Sequence, residues 1–331
     1  MKRNAQKPGP SGFILIVVLG AVVALSALLF GFYRTTRTKW ATVHSFYRAE
    51  QAWNCARAGL NIAVAVLGEN DDPLRDNRLS KLAAGESAIP VADGTCSITI
   101  VEENGFLNVN SLKRTSGELD RVRIDQFLRL IDLSNRQKTG GERIDYGIVP
   151  AIIDWIDRDD DVTQLPFVQY DNAGAEDNYY QTLNPPLRCR NEPADTIDDL
   201  LPVKGMTPEA LGRLRESLTT FGDGKININA APKLVLECLN EQMSPALVQM
   251  ILKRRTLKPF SSLAELKDVP GMTDNVYQAI RETITTGRTD RYYRVMSRGT
   301  VEDLSMTVEA VLQRNTQAGT VDIIQYRELG S

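Results

Sequence analysis

Five acidic side chains, Asp157, Asp159, Asp161, Glu176 and Asp177, have the types and spacing that could do chemistry in this 331-residue chain. The first three alternate within DWIDRDDD (154–161), as the opening ligand positions of a calcium loop do. The glycine and the bidentate glutamate that complete an EF-hand are missing. Glu176 and Asp177, returning in GAEDNYY (174–180), can supply the remaining oxygens. From Asp154 to Asp177 there are eight carboxylates and one base, Arg158, so the segment repels itself unless it is solvated or neutralised. Hard oxygen donors without histidine or thiolate favour calcium or magnesium over zinc. A solvated acidic turn is the plain alternative. The flanking aromatics Trp155, Phe167, Tyr170, Tyr179 and Tyr180 favour an ordered loop that holds an ion.

Other chemistries find little support. His44 is the only histidine, and no GxSxG, Walker A or dinucleotide fingerprint occurs. The chain reads as non-catalytic. Cys55, Cys96, Cys189 and Cys238 lie far apart without a CxxC, which argues against zinc. Outside the cytoplasm one or two disulfides are open to them, with no pairing indicated. The formal net charge is −3. Losing Lys2, Arg3 and Lys7 would leave −6, a sign unsuited to coating nucleic acid or anionic lipid.

The elements that must position these carboxylates include an internal repeat. GFLNVNSL (105–112) matches GKININAA (224–231) at an offset of 119, and DDLLPVKGMTPEAL (198–211) matches AELKDVPGMTDNVY (264–277) at an offset of 66. The copies therefore differ by an insert of about 53 residues between 131 and 197, and the acidic cluster lies inside it. Helical patterns surround both copies, at 119–132, 209–218, 233–239, 245–254 and 275–284. Alternating strands lie outside them: CSITIVEEN (96–104), and a hairpin over 291–314 with Gly299, Glu302 and Asp303 near its turn.

The N-terminus is a different object. Phe13 to Tyr33 carries no charge and can span a bilayer core, which takes about 20 residues as a helix. Nothing breaks the pattern afterwards: Arg34 to Leu67 has no proline, and Phe46, Trp53, Leu60 and Leu67 recur every seven residues. One helix of roughly 80 Å is expected from 13 to about 67, with that stripe spent on its own head. A cleaved secretory signal would be shorter and broken.

This N-terminus, a basic leader followed by Gly12, Phe13 and a long apolar helix, resembles the type IV pilin-like proteins. The resemblance implies a prepilin peptidase that cuts between Gly12 and Phe13 and methylates the new amine. Most such proteins have glutamate at the fifth mature position, where this chain has Val17. An apolar residue there, with DWIDRDDD, GAEDNYY, IDDLLPVKGMT and GKININAAP in that order, resembles the minor pseudopilin K family of type II secretion systems. The implied fold is α+β, a pilin-like fold with a long N-terminal transmembrane and amphipathic helix, an antiparallel sheet and a large inserted, mainly helical domain. Its parts would be a leader (1–12), a membrane span (13–33), pilin-like helix and first strands (34–110), a helical insertion with the duplicated helix-hairpin-helix-like unit and acidic loop (111–289), and C-terminal strands and tail (290–331).

The resemblance further implies structural calcium on Asp157, Asp159, Asp161, Glu176 and Asp177. It implies a tip complex with minor pseudopilins I and J, contact with the major pseudopilin and the inner-membrane assembly platform, and a role in priming the pseudopilus for protein export. The N-terminus would be cytoplasmic and the body periplasmic. The alternative is a minor pilin of a type IV or competence pilus. Its helix-hairpin-helix turns would bind DNA, yet Thr207 and Thr273 stand where those turns usually carry a second glycine.

Overall fold

The structure is a computed structural model that describes residues 11–69, 84–85, 87–114, 116–137, 142–168, 172–287, 291–315 and 318–329. Leader residues 1–10, Tyr170 and Asp171 lie outside the described residues.

Helix α1, Ser11–Glu69, has 59 residues and is therefore about 90 Å long. Its apolar first part lies fully exposed, and a window of mean hydropathy 3.0 makes it long and apolar enough to cross a membrane. Thr35, Thr38 and Thr42 return their hydroxyls to the carbonyls of Gly31, Arg34 and Thr38, each at 3.0 Å, so these polar side chains are absorbed by the helix itself. Burial starts at Ala52 and continues through Ala56, Leu60, Ala63 and Leu67, a helical period facing one surface.

That surface is an antiparallel five-stranded sheet in the order β1-β2-β7-β8-β9. β1 is Ile89–Val91 and β2 Gly94–Glu102, whose Cys96, Ile98 and Ile100 alternate into the core. The two-residue pieces β3 (Leu107–Asn108), β4 (Leu218–Thr219), β5 (Ile226–Asn227) and β6 (Ile284–Thr285) lie in the inserted region. β7 (Arg291–Val301) and β8 (Leu304–Asn315) are joined through Glu302 and Asp303, with Glu302 at φ +54°. β9 is Thr320–Leu329. β2 and β7 are neighbours, with Glu102 opposite Tyr293, so the chain leaves the sheet and returns to it at the same end.

The inserted region has its own large core. Its helices are α2 (Arg121–Gln137), α3 (Ile148–Ile156), α4 (Asp177–Tyr180), α5 (Pro208–Leu214), α6 (Lys233–Cys238), α7 (Pro245–Leu257) and α8 (Asp274–Ile280). The repeat is visible bond by bond. β3 pairs parallel with β4, and β5 pairs parallel with β6. Asn110 Nδ2 donates to the carbonyls of Ala194 and Thr220 while its Oδ1 accepts from Ala194 N. Asn229 does the same with Phe260 and Thr286. Thr207 and Thr273 cap α5 and α8 by accepting from Ala210 N and Val276 N. An asparagine two residues beyond the end of a two-residue strand thus clamps a distant loop whose polar backbone would otherwise be buried without partners.

Three expectations need correction. Phe46 is not spent on the head: it is 76% exposed, while Leu60 and Leu67 are buried and Trp53 partly so. Among the described residues the head meets α1 from Arg48 onward, where Arg48 pairs with Glu302 and Asp303 at 2.8 and 2.7 Å. Gly299, three residues before Glu302, is a strand residue of β7 whose lack of a side chain serves packing and not the turn, since a Cβ there would come within 2.0 Å of the Ala52 carbonyl oxygen of α1. β9 adds an edge strand at 320–329, beyond the expected hairpin; its mixed charges hide the alternation.

Candidate metal centre

The acidic cluster is built on the C-terminal end of α3. Every residue of this helix is buried, including Asp154. Asp157 is the C-cap, in extended conformation, with its N–H donating to the Ile153 carbonyl at 3.0 Å. The negative end of a helix dipole repels carboxylates and attracts a cation. Beyond it Asp159 Oδ1 accepts from Asp161 N at 3.2 Å, which tightens the turn.

A short hairpin then brings Glu176 back. Leu165 N donates to Asn172 O and Gly174 N to Thr163 O, both at 2.9 Å. Gly174 is required at this crossing, because a Cβ would come within 2.1 Å of Asp154 Oδ2. The aromatic flank locks the return: Trp155 and Tyr180 meet edge to face at 4.8 Å, and the Tyr180 hydroxyl accepts from Lys204 N at 3.2 Å.

Asp157, Asp159 and Glu176 each place an oxygen within 4.8 Å of the others. Two ligands at the usual calcium distance of about 2.4 Å from one ion are at most about 4.8 Å apart. Asp161 and Asp177 stand elsewhere: Asp161 is exposed, and Asp177 Oδ1 accepts from Cys189 N at 2.6 Å. Asp154 approaches instead, with Oδ1 accepting from Thr163 N at 2.9 Å. Lys113, which no sequence pattern flagged, donates from Nζ to Asp157 Oδ2 at 2.8 Å and Asp159 Oδ2 at 2.7 Å. Its repeat counterpart is Pro232, so the only signal was a departure from the copy.

The electrostatics are those of a site short of positive charge. Burial, and then the neighbouring Asp154, push the Glu176 carboxyl up to about 8. Burial also raises Asp154 and Asp157, against hydrogen bonds from Thr163 and Lys113 respectively. Exposed Asp159 goes the other way, held down by the Lys113 ammonium. Asp154 Oδ2, Asp157 Oδ1 and both Glu176 oxygens are buried without a hydrogen-bond partner. Unpaired buried carboxylate oxygens are costly, and a hard divalent cation satisfies several of them at once. The residues present therefore fit calcium.

Comparison with known proteins bears on the whole chain. The family described as type II secretion system (T2SS), protein K matches in two parts, over residues 105–223 and 226–287. A protein of Pseudomonas aeruginosa named type II secretion system protein K is 25% identical over 319 residues, spanning 92% of this chain and 89% of the relative. An Aeromonas hydrophila protein of the same name is 23% identical over 231 residues, covering 67% of this chain and 66% of the relative. In fold the chain is similar to one in the crystal structure of the GspK-GspI-GspJ complex from enterotoxigenic Escherichia coli. That likeness has a TM-score of 0.69 at 19% identity and covers 88% of this chain and all of that one. It agrees with the α+β pilin-like architecture, a long helix on an antiparallel sheet with helical regions added. Together the two family matches cover more than half of the sequence and the Pseudomonas relative nearly all of it, and the chain belongs to the type II secretion system protein K family, as a minor pseudopilin.

Proposed function

We propose that this minor pseudopilin caps the tip of the pseudopilus and primes its assembly, as a non-catalytic subunit with structural calcium. The observation that carries the reading is the pairing of Val17 on the exposed part of α1 with the large region inserted between β2 and β7. A subunit inside a helical fibre offers a carboxylate near its N-terminus to the amine of a neighbour. Val17 offers none, while the amine of Phe13, once exposed by prepilin peptidase cleavage after Gly12 and then methylated, can still meet a carboxylate below. A chain with one half of the pairing suits an end position. The inserted region supports the same place, since its bulk would obstruct a repeating shaft.

In this reading α1 holds the chain in the inner membrane with its N-terminus in the cytoplasm and its head in the periplasm. Minor pseudopilins I and J join it in a tip complex, as the composition of the structural relative suggests. The major pseudopilin then adds from below on the assembly platform. Calcium on Asp157, Asp159 and Glu176, with Asp154 behind them, rigidifies the pairing of Gln164 with Ala173. Asp161 and Asp177 reach the ion only through water or a local shift.

The test is co-expression of the full chain with minor pseudopilins I and J of the same organism, followed by light scattering in detergent. One copy of each in a stable complex is expected. Absence of any complex with calcium and with chelator, together with salt-sensitive DNA binding, would overturn the reading in favour of a competence pilus.

A further inference from the structure

We propose that Lys113 is a built-in counter-cation, which competes with the divalent ion for Asp157 and Asp159 and thereby sets the affinity of the site. The proposal rests on the cation-site reading above and adds to it a residue that is not a ligand. The ammonium reaches both carboxylates at 2.8 and 2.7 Å.

Lys113 nevertheless completes only part of the site. An ammonium is one point charge with three donors. It satisfies Asp157 Oδ2 and Asp159 Oδ2 and leaves Asp157 Oδ1 and both Glu176 oxygens buried without partners. Glu176 is 3% exposed, and one of its oxygens lies within 4.8 Å of oxygens of Asp157 and Asp159. A divalent ion taking six or more oxygens can use these atoms, but to take Asp157 and Asp159 fully it has to remove the lysine.

The surroundings allow that removal. The backbone at Lys113 is pinned by a bridge to Leu119, so only the side chain needs to swing. It lines a groove of about 550 Å³, and its flexible four-carbon stem can rotate into that space. In the second copy of the repeat Pro232 stands at this position and no carboxylate cluster accompanies it, so the lysine goes with the acidic insert and not with the repeat.

The experiment compares the full chain in detergent with Lys113→Met and Lys113→Gln, by calorimetric titration with calcium chloride and by thermal melts in calcium and in chelator. Loss of the competitor should tighten the calcium Kd by about tenfold, the equivalent of one charge-assisted hydrogen bond. The melting temperature should fall in chelator and return to the wild-type value in saturating calcium. A variant that is unfolded in chelator but folds on adding calcium would also support the proposal. Wild-type binding with an unchanged or weaker Kd in both variants would overturn it, as would equal melting losses in calcium and chelator, which would make Lys113 a plain strut. If the wild-type chain binds no calcium, the cation-site reading itself falls and the proposal falls with it.

Discussion

Glu176 is the residue whose behaviour most separates an ion site from an acidic turn. In the folded chain its carboxyl titrates near 8, against an ordinary 4.5, so between these values the folded state holds more protons than the unfolded one. The stability that this group contributes without calcium is then greatest below about pH 4.5 and is lost as pH rises through about 8. Burial of Asp154 adds in the same direction. Calcium should remove that decline, and should stabilise by about 2.7 kcal/mol at a hundredfold excess over its Kd. Glu176→Gln should flatten the decline in chelator and abolish the calcium-induced rise in melting temperature; a variant that keeps either would contradict the assignment. Of this site, Asp157, Asp159 and Glu176 were legible because alternation after a helix and a return through a loop leave a pattern in sequence. Lys113 was not, since it sits 44 residues upstream of Asp157 and a lone lysine carries no pattern. Asp161 and Asp177 share the composition but are not brought into the cluster, since Asp161 is exposed and Asp177 accepts from Cys189 N.

At the scale of elements, the contact between α1 and the sheet depends on small residues. Ala52, Ala56, Gly59 and Ala63 face β7 and its neighbours, and Gly59 and Gly299 leave no room for a methyl group. Gly299→Ala pushes a Cβ to 2.0 Å from Ala52 O and 2.4 Å from Ala56 N, both backbone atoms that cannot rotate away. We expect a loss of about 1–3 kcal/mol by urea melts of the full chain in detergent. Gly212→Ala, with nothing within 4 Å, should be neutral or slightly stabilising. Equal stability of the two variants would contradict the packing described. The length of α1, the β7–β8 hairpin and the repeat were readable because each has a strong period or self-similarity. The heptad Phe46-Trp53-Leu60-Leu67 shows the limit: it marks a helical face correctly but cannot say where the head begins. That boundary is set by Glu302 and Asp303 of the β7–β8 turn, far away in sequence. β9 was missed for a related reason, since its exposed Ile323, Ile324 and Tyr326 belong to an edge strand without a clean buried face.

Across the whole molecule, an exposed helix joins a head that is itself two structures. The sheet closes β2 on β7, with Asn104 Oδ1 accepting from Tyr292 N at 2.7 Å where the chain departs and returns, and the duplicated helical region grows from that seam. Glu103 and Arg294 pair there at 2.8 Å, with Glu103 buried, so the two parts share a polar joint as well as a covalent one. A head of this size at the end of a helix without the usual carboxylate is the basis for placing the subunit at a fibre end. The most direct measurement is to fuse a short tag after Ser331, assemble pseudopili with the tagged chain, and locate it with gold-labelled antibody by electron microscopy. The account predicts label at one end of each fibre and none along the shaft. Label spaced along the shaft would contradict it.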